Sequence, residues 1–291
     1  MINPKDIFSI PSDNSFNALA LEVFRFQFDH NNTYRSFCDL LYKHPSDVRT
    51  IHDIPFLPVE FFKTHNVLSS SNTTQTTFTS SGTTGSVPSK HHVTDLNIYK
   101  HSFTLGFQHF YGNIEDYVIL ALLPSYLERD SSSLVYMVNT MIQTSKYSES
   151  GFYLDNLDDL KDQLITLNRS DRKVLLIGVS FALLDLVGSH QFKLKNTIIM
   201  ETGGMKGRRK ELVREELHQL LKKGFGVNHI HSEYGMTELL SQAYSKGAGI
   251  YVCPPWMKVM VADESDPTAL STTGRGVLHI IDLANQHSCA F

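Results

Sequence analysis

Cysteine is scarce in this chain of 291 residues, and its three examples, Cys38, Cys253 and Cys289, stand far apart. No C-x-x-C pair occurs, which argues against a disulfide framework and against a zinc site built from thiolates. Long apolar runs are missing too: nothing approaches the roughly 20 residues needed to cross a bilayer. The opening stretch MINPKDIFSIPSDNSF has no basic segment followed by an apolar one, so it does not read as a secretory signal. A cytoplasmic protein is expected. Positive charge is not in excess either. With 26 Lys and Arg against 30 Asp and Glu, the net charge is −4. That balance gives no electrostatic reason to expect nucleic acid or an anionic membrane as the main partner.

What is present is an ordinary enzyme-sized composition, 41% hydrophobic and 19% charged, enough for one large α/β domain or two smaller ones. NSFNALALEVFRFQFDHNNTYRSFCDLLYKH predicts one or two aromatic-rich helices, with Phe16, Leu19, Val23 and Phe24 at helical spacing. A connector rich in phenylalanine and broken by Pro55 and Pro58 follows. From residue 73 the pattern alternates. Strands are predicted at Gln75–Phe78, Tyr117–Leu123, Val174–Val179, Thr197–Glu201, Asn228–His231 and Met257–Val261. Helices are predicted around 95–110, 131–144, 157–168, 180–188 and 208–223, the last with a stripe of Leu212, Val213, Leu217, Leu220 and Leu221. This is an α/β pattern with a mostly parallel sheet. The expected organisation is a helical region, 1–72, packed on an α/β domain, 73–291. GVLHIIDLANQHSCAF reads as two strands, the second still apolar at Phe291, so a fragment of a longer protein is expected.

SSGTTG, residues 80–85, follows the strand-like QTTF and precedes Lys90, His91 and His92. Glycines let a backbone turn closely around a ligand, and successive amides with hydroxyl donors suit a polyphosphate. The lysine-first phosphate loop is excluded because Gly85 is followed by Ser-Val-Pro, and no G-x-G-x-x-G occurs. A plain surface turn remains the alternative. A second stretch, HIHSEYGMTELLSQAYS (229–245), sets Tyr234, Thr237 and Glu238 after a predicted strand, where open α/β sheets bind ligands. A tyrosine face can stack on a purine, a threonine can bond a phosphate and a glutamate can hold Mg²⁺. Against this, Thr237 and Glu238 would serve equally to cap a helix ELLSQAY.

SSGTTG paired with YGMTE resembles the signature of the adenylate-forming superfamily of acyl- and aryl-CoA ligases. IPFLPVEFFKTH, LALLPSYLERDSSSLVYMV, METGGMKGRR and SEYGMTELLSQAY are similar to its LuxE-type acyl-protein synthetase branch, over about residues 50 to 285. The resemblance implies the large N-terminal domain of that fold. It also implies activation of a carboxylic, fatty acid by ATP·Mg²⁺ to an acyl-adenylate, then transfer to a thiol on a protein or on coenzyme A. By motif, Ser80, Ser81, Gly82, Thr83, Thr84 and Gly85 would embrace the β- and γ-phosphates. Lys90 would contact phosphate, at an offset unlike the usual Pro-Lys spacing. Gly203, Gly204 and Met205 would line the adenine, with Tyr234 and Gly235 against it. Thr237 would meet the α-phosphate and Glu238 the Mg²⁺. A fatty-acid reductase partner follows by analogy.

The ribose-binding aspartate, the C-terminal lid with its lysine and the acceptor cysteine of that branch cannot be placed before Phe291, so weak nucleotide binding and poor turnover are expected of this chain. A phenylacetate-type CoA ligase and a non-catalytic nucleotide- or acyl-binding scaffold are the rival readings. Three groups are read as structural: His229 and His231 with Glu233, Cys289 in its apolar surroundings, and the phenylalanines of the N-terminal helices.

Overall fold

The computed structural model describes residues 3–69, 71–81, 87–123, 131–154, 156–203 and 212–291. Contacts divide the chain into two units: Met1–Leu105 with Met236–Ser241 and Cys253–Phe291, and Gly106–Gly235 with Gln242–Val252.

The first unit opens with α1 (Pro4–Ile7), α2 (Asp13–His30), α3 (Asn32–Leu40) and the single turn α4 (Phe61–Thr64). Ser12 caps α2 by accepting the Ser15 N–H, and Asn31 both ends α2 and caps α3 by accepting from Tyr34. Phe16, Ala20, Val23, Phe24 and Phe28 form the buried stripe of α2. The strands β1 (Thr76–Thr79) and β2 (Lys90–Val93) pair antiparallel, with Thr79 opposite Lys90 and Phe78 opposite His91. Next comes α5 (Leu96–Tyr111), which runs from the first unit into the second.

The second unit is an alternating sandwich. Its elements are β3 (Tyr117–Leu122), α6 (Ser133–Thr144), β4 (Gly151–Phe152), α7 (Leu157–Leu167), β5 (Lys173–Val179), α8 (Ser180–Ser189), β6 (Thr197–Thr202), α9 (Arg214–Phe225), β7 (His231–Tyr234), β8 (Ala243–Ser245) and β9 (Tyr251–Val252). The sheet order is β4-β3-β5-β6-β7-β8-β9, parallel from β4 to β7 and antiparallel beyond. All of β3 and all but the first residue of β5 are buried, as expected of strands covered on both faces. The chain then returns to the first unit with β10 (Met257–Asp263), β11 (Asp266–Ser271) and β12 (Val277–Asp282), an antiparallel sheet ordered β11-β10-β12.

The α/β class and its mostly parallel strands match expectation. Several details do not. The strand expected at 228–231 lies at His231–Tyr234, so Tyr234 ends the strand while Thr237 and Glu238 follow it in a turn. No helix forms over ELLSQAY: the backbone turns through 237–238 and enters β8 at Ala243, so Thr237 and Glu238 cap nothing. After β12 the chain makes only a 3₁₀ turn at Leu283–Asn285, not a second strand. Helix α9 begins at Arg214, which leaves Val213 outside it and 66% exposed. Its buried face is Leu217, His218, Leu221 and Phe225, with Leu220 turned outward.

Helix α9 approaches α8 closely at Gly224, where an added Cβ would lie 2.3 Å from Val187 Cβ. Alanine favours a helix over glycine by about 1 kcal/mol, but overpacking a core costs about 1–3 kcal/mol. The β-branched Val187 cannot rotate its Cβ away, so the clash wins. Gly224→Ala should lower the thermal midpoint by several degrees in calorimetry, and an unchanged or raised midpoint would refute this packing.

Candidate active site

The hydroxyl-rich loop hangs from a well-made hairpin. Ser80 donates its N–H to the Ser89 carbonyl (3.1 Å) and accepts the Ser89 N–H on its Oγ (2.9 Å). Ser80 is half-buried, Ser81 is exposed, and Lys90 is exposed at the first position of β2. Gly82, Thr83, Thr84 and Gly85 lie outside the described residues. His91, one of the basic groups read beside the loop, is instead buried, at 1% exposure. Its Nδ1 meets the Thr237 carbonyl at 2.8 Å and its Nε2 the Ser288 hydroxyl at 2.8 Å. Burial holds its pKa down at about 4, so it carries no charge at neutral pH.

That contact sets the base of the hairpin beside the turn that carries Thr237 and Glu238. Thr237 is half-buried and Glu238 is buried. The Glu238 carbonyl accepts from Asn285 Nδ2 (2.7 Å). Leu240 N–H donates to Asp282 Oδ2 (2.9 Å) and Asn285 Oδ1 (3.0 Å). Ser241 gives Asp282 both its N–H (2.9 Å) and its hydroxyl (2.6 Å). Burial pushes the Asp282 carboxyl up to about 6, although these donors and Ala284 N–H pull the other way. Among the described residues no hydrogen bond or ion pair engages the Glu238 carboxylate. A lone carboxylate fits Mg²⁺, which takes one or two protein oxygens and fills its octahedron with water and phosphate. No group of three or more His, Cys, Asp or Glu among the described residues makes a metal site by itself.

In the second unit, the carboxyl ends of β5, β6 and β7 present Ser180, Gly203 and Tyr234 along one edge of the sheet. This is where parallel α/β sheets bind ligands. Gly203 is exposed with φ +66°, a conformation that favours glycine, and its carbonyl accepts from Ser180 Oγ (2.9 Å). Gly204 and Met205 lie outside the described residues. The Tyr234 ring stands edge-on to Tyr251 at 6.0 Å. Tyr251 in turn accepts from Arg214, whose guanidinium also reaches Ser232 and Glu201 (both 3.2 Å). Gly235 is exposed, and a Cβ there would fall 2.6 Å from Glu233 Oε1.

Two buried carboxyl groups of this edge behave oppositely. Burial pushes Glu201 up, but His218, Ser232 and the Arg214 charge beside it outweigh that, leaving the group below the usual range. Among the described residues Glu233 has only the Thr202 hydroxyl, and burial, with the Glu201 charge nearby, raises it to about 7. Beside them, His231 meets the Tyr111 hydroxyl at 3.2 Å. Cys289 is buried, its Sγ donates to the Phe291 carbonyl, and burial pushes the thiol up to about 12, which leaves it a poor nucleophile.

Asp282, Asn285, Ser288 and the role of His91 escaped sequence reasoning. The one available signal was the run of polar residues D-x-x-N-Q-x-S inside an otherwise apolar stretch.

A family model described as acyl-protein synthetase, LuxE, matches residues 8–291. This chain belongs to the LuxE family. Within it, the chain is 25% identical over 298 aligned positions to a long-chain-fatty-acid–luciferin-component ligase of Aliivibrio fischeri, covering 94% of this chain and 75% of that protein. A ligase of the same name from Photorhabdus luminescens is 38% identical over 68 residues, 23% of this chain and 58% of that protein. Among solved structures, a 2-hydroxyisobutyryl-CoA ligase in an open conformation with 2-HIB-AMP and CoA superposes with a TM-score of 0.69 at 11% identity. The match covers 96% of this LuxE-family chain and 63% of the ligase. Its postadenylation state with 2-HIB-AMP gives 0.68 at 12%. At such identities the likeness is one of fold alone. No helix among the described residues is long and apolar enough to cross a membrane.

The Glu233 shift has a definite sign. Its folded pKa, about 7, lies above the ordinary 4.5, so its favourable contribution is full at low pH and is lost as pH rises through about 7. Glu233→Gln should therefore raise the thermal midpoint relative to wild type at about pH 8 and give no gain at about pH 5. Equal effects at both pH values would show that Glu233 is not a lone buried acid.

Proposed function

We propose that this LuxE-family chain activates a long-chain fatty acid with ATP and passes the acyl group to a thiol. The single observation that carries this reading is that the base of the hydroxyl-rich hairpin and the Thr237–Glu238 turn are joined in one unit through His91. In the first step a carboxylate oxygen attacks the α-phosphorus, the α–β anhydride bond breaks and pyrophosphate leaves. In the second, a thiolate attacks the acyl carbon and AMP departs with the carboxyl oxygen that bridged acyl and phosphate.

Both partners of the first step are anions, so the protein must neutralise and align them. The loop donors Ser80, Ser81, Gly82, Thr83, Thr84 and Gly85 would hold the β- and γ-phosphates, with exposed Lys90 at the hairpin base as a further phosphate contact. Thr237 would align the α-phosphate. Glu238 would ligate Mg²⁺, which when bound neutralises phosphate charge. Gly203, Gly204, Met205, Tyr234 and Gly235 would form the adenine wall at the carboxyl edge of the parallel strands. The acid and the thiol, on a protein or on coenzyme A, complete the reaction; an acyl reductase would consume the thioester.

Acid-dependent exchange of radiolabelled pyrophosphate into ATP reads the first step alone. Exchange should appear with fatty acids and rise with chain length, and Glu238→Gln should lower it on the order of 100-fold. Exchange with none of the fatty or aromatic acids tried would overturn the reading. An undiminished Glu238→Gln variant would remove Glu238 from its role.

A further inference from the structure

We propose that His91 is a positioning residue for adenylation, locked as the neutral tautomer protonated on Nδ1 so that it fixes the Thr237–Glu238 turn against the base of the hydroxyl-rich hairpin. The inference rests on the functional reading above, which makes the hairpin and the turn two parts of one phosphate site.

The tautomer follows from the partners. A backbone carbonyl can only accept, so the ring nitrogen 2.8 Å from Thr237 O must carry the proton. The other nitrogen is then a bare acceptor, and the Ser288 hydroxyl at 2.8 Å supplies its hydrogen. Both ring nitrogens are thus committed, in a residue with almost no solvent contact. The ring is also held in orientation, edge to face with Phe62 at 5.5 Å. The far partner is rigid in its own right: the Ser288 carbonyl accepts from Asn31 Nδ2 (2.9 Å) and from the Ser69 hydroxyl. On the near side, His91 sits one residue after Lys90 and faces Phe78 in the hairpin register. A displacement of the loop base is therefore transmitted through one planar ring to the carbonyl of Thr237.

The charged groups around His91 agree with a purely geometric role. Among the described residues His92 on the same strand is the one titratable neighbour that acts on it electrostatically, and its effect disfavours protonation. A neutral ring keeps its geometry across the physiological range and adds no cation beside the phosphates.

Two amide substitutions separate positioning from packing. Asparagine can place its Nδ2 donor where Nδ1–H lies, whereas the longer glutamine side chain extends toward the Nε2 position and abandons Thr237. His91→Asn should keep pyrophosphate exchange within about fivefold of wild type, whereas His91→Gln should lose on the order of 10- to 100-fold in kcat with little change in the KM for ATP. Hydrogen–deuterium exchange on the full-length chain gives a readout free of activity: amides of residues 238–241 should exchange faster in His91→Gln and at the wild-type rate in His91→Asn. If both variants fall equally, or if His91→Gln leaves that segment's exchange unchanged, the inference is overturned. Absence of catalysis in the wild type would sink the functional reading and with it the link to adenylation, while the deuterium comparison would still decide whether His91 fixes the Thr237–Glu238 turn.

Discussion

The constraint beneath everything in the first unit is the need to satisfy a buried stretch of irregular backbone. From Asp282 to Phe291 nearly every residue is buried, yet only a 3₁₀ turn supplies regular hydrogen bonds. Unpaired peptide groups in such a place are costly. Helix α2 answers with Gln27, which donates to the carbonyls of Asn285 (2.9 Å) and Gln286 (3.0 Å) and accepts the Ala290 N–H (3.0 Å). Asn31 takes the Ser288 carbonyl, and the Leu57 and Ser69 amides take those of Phe291 and His287. Once fixed, this segment turns its own polar side chains outward to its neighbours. Asp282 and Asn285 hold the Leu240–Ser241 end of the turn, and Ser288 holds His91. The aromatic N-terminal helices are therefore a foundation for the candidate site through two buried amides as well as through the packing of Phe24 on Phe291.

The parts of the fold legible in the sequence were those set by burial on both faces. β3, β5 and β6 read as short apolar runs because the covering helices demand them, and their bounds agree with expectation to within a residue. β8 and β9 were illegible: strands of three and two residues carry no period to detect. DLANQHSCAF misled because its apolar content is real while its hydrogen bonding is borrowed from α2 and its neighbours. The candidate site was half legible. Hydroxyl and glycine composition marks a candidate phosphate loop locally, but partners 146 and 197 residues away decided that His91 would be buried and neutral rather than a basic group beside that loop.

The second unit handles buried charge by a different rule. Glu201 and Glu233 occupy neighbouring strands at the same edge, and alternation sends them to opposite faces of the sheet. One face offers Arg214, His218 and Ser232, and the carboxylate stays ionised. The other offers, among the described residues, a single hydroxyl, and the acid holds its proton to near neutrality. Two identical side chains thus acquire different chemical states from their surroundings alone.

The chain contains one tryptophan, and its place is informative. Trp256 is buried, and its indole N–H is shared between Ser102 Oγ (3.1 Å) and Ser241 Oγ (3.0 Å), the latter at the end of the segment that Asp282 clamps. Emission excited beyond the absorption of the 12 tyrosines is therefore that of a single indole wired to that clamp. Loosening of the clamp would reach the spectrum without any added label.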